Sequence, residues 1–185
     1  MSKLPREAYA IWLSFDKKDW TLLGKDTDTL EYPLNPDVET KKNVIGESTV
    51  DHKGFNPELA VDTYYARTED AIYENIKDIA MNRKSDEAST SAYLLEAILT
   101  DKVVNSDTTT LTGEAWMENV IVIPQSTGGD LAGFGLPFNV NPNGGRVEGT
   151  VSVTERVPTF TPGTDGGSQL ASLSNTKSGS KSLSD

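Results

Sequence analysis

Cysteine is absent from this 185-residue sequence, and histidine occurs once, at position 52. Without cysteine the chain can form no disulfide scaffold, no thiolate metal site and no cysteine nucleophile, and a single histidine excludes a multi-histidine zinc site. A Ser–His–Asp triad would have to use His52, and no Gly-x-Ser-x-Gly elbow accompanies it. Since His52 lies in a polar stretch, a solvated or interface histidine is the favoured interpretation, and the sequence predicts neither a cofactor nor a metal site.

Long apolar runs and an excess of basic residues are also lacking. No stretch approaches the roughly 20 apolar residues of a membrane helix, and no signal-peptide pattern follows the N-terminus. We therefore expect a soluble chain with no membrane partner. The formal net charge is −11, from 28 acidic and 17 basic residues, which argues against tight nucleic-acid binding. An acidic wall would instead repel phosphate, so DNA could pass it without specific binding.

The length and composition predict one folded domain over residues 1–160, large enough to bury a core. From residue 161 to 185 the composition changes, and 14 of these 25 residues are glycine, serine or threonine. Such a segment buries too little apolar surface to fold alone, so we expect a disordered C-terminal segment.

Alternation of polar and apolar residues predicts two half-buried strands late in the chain. In residues 146–157 the apolar positions are Val147, Val151, Val153 and Val157. In Thr110–Glu118 they are Leu111, Ala115 and Met117. The opposite faces are polar and carry Glu114, Glu118 and Glu148. The two runs therefore predict a sheet with one apolar face and one polar, partly acidic face.

Weaker strand signals occur along the rest of the chain. They predict a hairpin within residues 7–23, a short strand at Thr29–Tyr32, and strands over 59–66, 120–124 and 138–141. Residues 92–99 fit a helical stripe or a buried strand, and the neighbouring strands favour a strand. We expect a turn-rich loop over 101–109, a mobile glycine-rich loop over 125–135 and a last strand that ends at Pro158.

A long polar connection over residues 35–57 separates the early strands from the rest. Connections of this length are uncommon in compact domains unless they are functional or disordered. We expect a protruding hairpin arm, which would bury little surface alone and more against a neighbouring subunit. The residues expected to make that contact are Val38, Val44, Ile45, Val50 and His52.

One helix is predicted over residues 68–83. Thr68 is a suitable N-cap, and Glu69 and Asp70 would lie in the first turn, where the helix dipole favours acids. Four residues spaced at i, i+4, i+7 and i+8 form one apolar stripe that should pack on the sheet: Ile72, Ile76, Ile79 and Ala80.

Motifs with catalytic or ligand-binding chemistry are weak. Asp26 and Asp28 resemble the start of a calcium loop, but the positions that follow do not fit, so a turn is favoured. The run Gly128–Gly135 matches neither a phosphate loop nor a dinucleotide fingerprint. Glutamates on the polar strand face could form a glycosidase carboxylate pair, yet acids on a solvated strand are common.

The order of several segments resembles the major tail protein, or tail tube protein, of long-tailed bacteriophages that infect Gram-positive bacteria. The resemblance covers about residues 20–162. It rests on Trp20-Thr-Leu-Leu-Gly24, Tyr32-Pro-Leu-Asn-Pro-Asp-Val-Glu39, the polar connection, Gly54-Phe-Asn-Pro-Glu-Leu-Ala-Val-Asp62, the acidic helix start near Asp70, and residues 138–153. No piece is a catalytic signature, and it is their order and spacing together that give the resemblance its specificity.

The resemblance implies a mainly β, α+β fold, an antiparallel β-sandwich or partial barrel with one flanking helix. It also implies a non-enzymatic structural subunit of the virion, synthesised in the host cytoplasm, that forms hexameric rings stacked into a hollow tube. The implied partners are other copies of the chain, through the arm, and other tail proteins such as the tape measure, tail tip and terminator proteins. DNA would pass through the lumen, and we expect Glu114, Glu118 and Glu148 to face it.

A monomeric β-sandwich binding module, for carbohydrate or surface adhesion on a larger particle, is the alternative. A hydrolase is a more distant one. The arm distinguishes the first two, because a binding module has no need of a long polar connection before its helix.

Overall fold

The computed structural model describes residues 3–105 and 108–163. The predicted mainly β class is confirmed, with 51% strand against 11% helix and an antiparallel sheet curled as a half-barrel. A 3-10 turn at Arg6–Ala8 precedes the strands β1 (Tyr9–Ser14), β2 (Thr21–Leu22), β3 (Pro36–Lys42), β4 (Ser48–Phe55), β5 (Leu59–Val61), β6 (Ser91–Asn105), β7 (Thr108–Pro124), β8 (Gly128–Gly129), β9 (Phe134–Gly135), β10 (Phe138–Pro142), β11 (Val147–Thr154) and β12 (Val157–Pro162). The α-helices are α1 (Tyr73–Asn82) and α2 (Glu87–Thr90).

The chain divides into two compact units. Unit 1 comprises the described residues of Met1–Leu23, Ala92–Asn119 and Asn143–Asp185, and unit 2 comprises Gly24–Ser91 and Val120–Pro142. Strand β7 contributes its first part to unit 1 and its last five residues to unit 2.

Unit 1 is built on antiparallel strands in the order β12-β11-β7-β6-β1-β2. The largest buried cluster lies on one face of this sheet, because alternate residues of each strand point the same way, and Ile11, Leu13 and Leu94 are buried on the other face. The predicted burial of Val147, Val151 and Val153, and of Ala115 and Met117, is confirmed. The buried cluster consists of Trp12, Leu95, Ala97, Leu99, Ala115, Met117, Val151 and Val153. A fully buried side chain of this kind contributes about 1.5–3 kcal/mol to folding.

The prediction of a single strand over residues 146–157 is wrong. The chain reverses at Glu155 and Arg156, whose φ angles of 52° and 70° are those of a type I′ hairpin turn. Val157 therefore belongs to the returning strand β12 and is exposed, rather than buried beside Val153. Strand β12 continues past Pro158 to Pro162. The predicted start of the disordered segment, residue 161, is therefore too early. The part of that segment from residue 164 onward lies outside the described residues.

The outer edge of β12 is poor in hydrogen-bond donors. Gly163 N donates to Glu148 O at 2.9 Å, so odd-numbered residues of this strand direct their backbone groups towards β11. Pro158 and Pro162 then occupy outward positions, where proline has no N–H to offer. Proline at such positions is a recognised way to block pairing at a sheet edge.

Two glycines permit close approach between strands of unit 1. A Cβ added to Gly149 would lie 2.3 Å from Thr161 O and 2.8 Å from the Phe160 ring. A Cβ on Gly113 would lie 1.9 Å from Ile98 O. Neither backbone is left-handed, so both glycines are required by lack of space.

Residues 92–99 form a strand, as predicted, but the strand is much longer. Strand β6 extends to Asn105 and β7 begins at Thr108, so the predicted loop over 101–109 is wrong. Exposure explains the error, since Val103 and Val104 are exposed and polar neighbours are tolerated where neither face is covered.

Unit 2 contains the short sheet β5-β10-β7, in which Phe138 pairs with both Val61 and Pro124. The predicted strand at Thr29–Tyr32 is wrong, because no strand occurs between residues 24 and 35. The glycine-rich stretch predicted as a mobile loop forms the small β8–β9 hairpin, where Asp130 Oδ1 accepts from Ala132 N at 2.7 Å.

Helix α1 is shorter than predicted. It begins at Tyr73 after Ile72, which makes no side-chain cap, so the prediction of Thr68 as the N-cap is wrong. The predicted stripe is buried at three of its four positions, Ile72, Ile76 and Ile79. The helix ends at Arg83, which has a left-handed backbone with φ 50°. The short helix α2 was missed, and its N-cap Asp86 accepts from Ser89 N at 2.9 Å.

Candidate functional site: the arm and the polar sheet face

The predicted arm is a two-stranded antiparallel hairpin formed by β3 and β4. Its tip is ordered by Asn43, whose Oδ1 accepts from Ile45 N at 3.2 Å and from Glu47 N at 2.9 Å. Gly46 allows the turn because its φ is 86°. Within the described residues, neither strand pairs with a strand outside the hairpin.

The arm has two different faces. In the register, Val38 is opposite His52 and Thr40 is opposite Val50, so these four side chains share one face. The other face carries ion pairs of Lys41 with Asp51 at 3.4 Å and of Lys53 with Glu39 at 2.6 Å. Such exposed pairs contribute about 0–1 kcal/mol each, but they keep this face hydrated.

The apolar side chains of the arm are exposed. On the face shared with Thr40 and His52, the relative exposure is 51% for Val38 and 65% for Val50. At the tip it is 106% for Val44 and 75% for Ile45. The His52 ring is also exposed and packs edge-on against Phe55 at 4.6 Å. All five residues expected at an interface are therefore accessible, although the structure alone assigns them no partner.

The polar face of the unit 1 sheet contains two exposed carboxylates. Glu148 is opposite Trp116 and Thr150 is opposite Glu114, so both glutamates lie on the face opposite the buried cluster. Both are exposed. This arrangement agrees with the predicted polar face.

Glu118, the third acid predicted on this polar face, is buried rather than exposed. Glu118 is only 6% exposed and receives a hydrogen bond from Arg146 Nη1 at 2.8 Å. The same guanidinium bonds Glu96 Oε2 through Nη2 at 2.5 Å, and Tyr9 Oη donates to Glu96 Oε1 at 2.8 Å. Burial, and then the Glu96 carboxylate, raise the pKa of Tyr9. This network stabilises the sheet and offsets the charge of Glu118.

Sequence reasoning missed the role of Arg146. It lies after the tight turn at Gly144 and Gly145, whose φ angles are 86° and 72°. The only available signal was the alternation that placed Arg146 on the same polar face as the glutamates. The ion pair of Arg146 with Glu118 could not be predicted, because the two residues are 28 positions apart in the sequence.

Of the two acids that resemble the start of a calcium loop, Asp26 forms an ion pair. Arg67 donates to Asp26 Oδ2 through Nη1 at 2.9 Å and to Oδ1 through Nη2, and Tyr65 N donates to Oδ2 at 3.3 Å. The Arg67 hydrogen bonds hold the pKa of Asp26 below its ordinary value. No group of three or more acids or histidines among residues 3–105 and 108–163 is arranged to hold a metal ion.

An apolar cleft lies in unit 2 beside the C-terminal end of α1. Its volume is about 400 Å³, and it is lined by six apolar residues, among them Ile79, Ile121 and Ile123, and by the polar residues Arg83, Lys84, Ser85 and Thr90. Ile123 is 45% exposed at its mouth.

Of the helices in the described part of the chain, none is long and apolar enough to cross a membrane.

Comparisons with known proteins found matches only among solved structures. The sheath/tube terminator of an extracellular contractile injection system, PVC, in the extended state matches with a TM-score of 0.45 and 10% identity, covering 80% of this chain and 97% of that chain. The sheath-tube complex of the same system contains a chain that matches with a TM-score of 0.40 and 11% identity, covering 84% and 93%. The sequence matches no protein-family model and no curated protein.

Proposed function

We propose that this chain is a non-enzymatic structural subunit of a phage tail tube, which self-assembles into stacked hexameric rings around a hollow conduit. The arm is the observation that carries the proposal. Four aliphatic side chains of the arm, two at its tip and two on one face, are each at least half exposed in a protein of net charge −11. Exposed apolar surfaces of this kind mark interaction sites.

The low stability expected of an isolated arm supports the same proposal. A two-stranded hairpin is at best marginally stable in water without further packing. Here the hairpin has no third strand among the described residues, and its ion pairs are exposed. Packing of Val38, Val50 and His52 against another copy would stabilise the hairpin and bury its two exposed valines.

In the proposed tube, Glu114 and Glu148 face the lumen, and Glu118 does not contribute because Arg146 offsets its charge. Exposed carboxylates would repel DNA phosphates, so DNA would pass during ejection without specific binding. The other partners are the tape measure, tail tip and terminator proteins at the ends of the tube.

An arm-deleted chain tests the proposal. Asp37 and Gly54 are opposite each other in the hairpin, so an Asn-Gly turn can replace residues 38–53 without breaking the base. We expect this variant, and the Val44→Asp/Ile45→Asp variant, to remain folded by circular dichroism but monomeric by light scattering. Leu131→Asp is the matched control, because Leu131 is 109% exposed outside the arm.

Negative-stain electron microscopy supplies the second readout. The unmodified chain and the Leu131→Asp control should give rings or tubes with a central hole. Rings formed equally well by the arm-deleted chain would overturn the role of the arm, and a monomeric unmodified chain would favour a binding module instead.

A further inference from the structure

We infer that the cleft beside α1 of one copy receives the arm tip, residues 43–47, of a second copy. This inference rests on the proposed function, since it names the acceptor surface for the arm within the assembly. It goes further by assigning a specific pair of surfaces.

Six of the ten residues that line the cleft are apolar, and the polar ones are Arg83, Lys84, Ser85 and Thr90. Ile79 and Ala80 of α1 form one wall, and Ile121, Ile123 and Pro124 of β7 form another. Its volume of about 400 Å³ falls within the roughly 300–1,000 Å³ of pockets that hold ligands. Ile123 contributes exposed apolar surface at the mouth, so filling the cleft would remove this surface from water.

The arm tip has matching chemistry. Val44 and Ile45 are the most exposed apolar residues of the arm, and they lie in a turn where Ile45 N and Glu47 N donate to Asn43 Oδ1. Aliphatic side chains presented in this way suit an apolar acceptor surface.

Charge complementarity favours this pairing of surfaces. The Glu47 carboxylate accepts a hydrogen bond from Asn43 Nδ2 at 3.0 Å and forms no ion pair within the described chain. Arg83 at the cleft rim likewise has no ionic partner among the described residues, whereas its neighbour Lys84 pairs with Asp78. With the apolar tip inserted, Glu47 and Arg83 would be available to pair between copies.

The reach of the arm is also sufficient for a contact between copies. Strand β3 has seven residues, and at about 3.3 Å per residue it places the tip roughly 23 Å from the base. At this distance from its base, the arm tip can contact another copy of the chain in the assembly.

Cross-linking between two different single-cysteine chains tests the inference. The native chain has no cysteine, so Ile45→Cys and Ala80→Cys chains carry one thiol each. The two are mixed, allowed to assemble and treated with a short bis-maleimide. Ala71→Cys is the matched control, because it is the same substitution at an exposed residue near the opposite end of α1.

We expect at least a ten-fold excess of covalent heterodimer for the pair 45–80 over the pair 45–71. Assembled particles without that excess would overturn the cleft assignment and leave the proposed function standing. Failure of the unmodified chain to assemble at all would instead overturn the proposed function, and the cleft assignment with it.

A charge exchange gives an independent readout. We expect Glu47→Arg and Arg83→Glu each to raise the concentration needed for assembly several-fold, and the double variant to recover most of that loss. Glu31→Arg is the control, because Glu31 is exposed outside the arm. Lack of recovery in the double variant, with helix content unchanged by circular dichroism, would contradict the pairing.

Discussion

Replacing Arg146 by methionine should destabilise unit 1 substantially. The Arg146 guanidinium joins Glu118, whose side chain is 6% exposed, to Glu96, whose side chain is 18% exposed. Removing one partner of a buried ion pair costs about 3–5 kcal/mol, because a charge stays buried, whereas an exposed pair contributes about 0–1 kcal/mol. Since the Arg146 side chain is itself 42% exposed, we expect a loss of about 2–3 kcal/mol.

The measurement is urea unfolding followed by tryptophan fluorescence, at a concentration where light scattering shows monomer. A loss of this size would lower the melting temperature by about 4–12 °C in a chain of this length. Glu118→Gln added to Arg146→Met should recover part of the loss, because the uncompensated charge is then gone.

Arg156→Met is the control, since Arg156 lies in the exposed turn between β11 and β12 and forms no ion pair within the described chain. An Arg146→Met chain within about 0.5 kcal/mol of the unmodified one, a typical limit for surface changes, would refute the network's role in stability. So would equal losses for Arg146→Met and the control.

Three further perturbations follow from the structure. Gly149→Ala should cost about 1–3 kcal/mol by overpacking, and an unchanged urea midpoint would show that the strands can separate without cost. Pro158→Val/Pro162→Val should promote association through the outer edge of β12, seen as concentration-dependent light scattering, whereas Thr159→Val, whose N–H faces β11, should not. The lowered pKa of Asp26 means that its stabilising effect is present above the unfolded pKa of about 3.9 and is lost as pH falls below it. The difference in unfolding free energy from Asp26→Asn should therefore shrink below about pH 4 and stay constant from neutral pH down to that point.

Features with a strong local signal could be predicted from the sequence. The valines of β11 show a period of two, and a half-buried strand follows from that period alone. The arm was also predictable, because a long polar connection with scattered aliphatic residues suits neither a core strand nor a short turn.

Features that depend on unusual local geometry or on distant partners could not be predicted. A type I′ turn is usually signalled by Asn-Gly, so Glu155 and Arg156 gave no indication of the reversal before Val157. Thr68 had the chemistry of an N-cap, but local chemistry alone cannot fix where a helix begins.

The site was only partly predictable for the same reason. Glu118 had the same polar alternation as Glu114, and only its three-dimensional pairing with Arg146 distinguishes the two. The cleft was not foreseen, because its walls come from segments about 40 residues apart in the chain, from Ile79 to Ile121.

The most direct test of the central claim is the mass and shape of the unmodified chain in solution over a wide range of concentration. Sedimentation and negative-stain electron microscopy of the same samples would give both. We expect particles whose mass is a multiple of 20.1 kDa, in the form of six-fold rings or stacks of rings with a central hole. A species of 20.1 kDa at every concentration, with no rings on the grid, would contradict it.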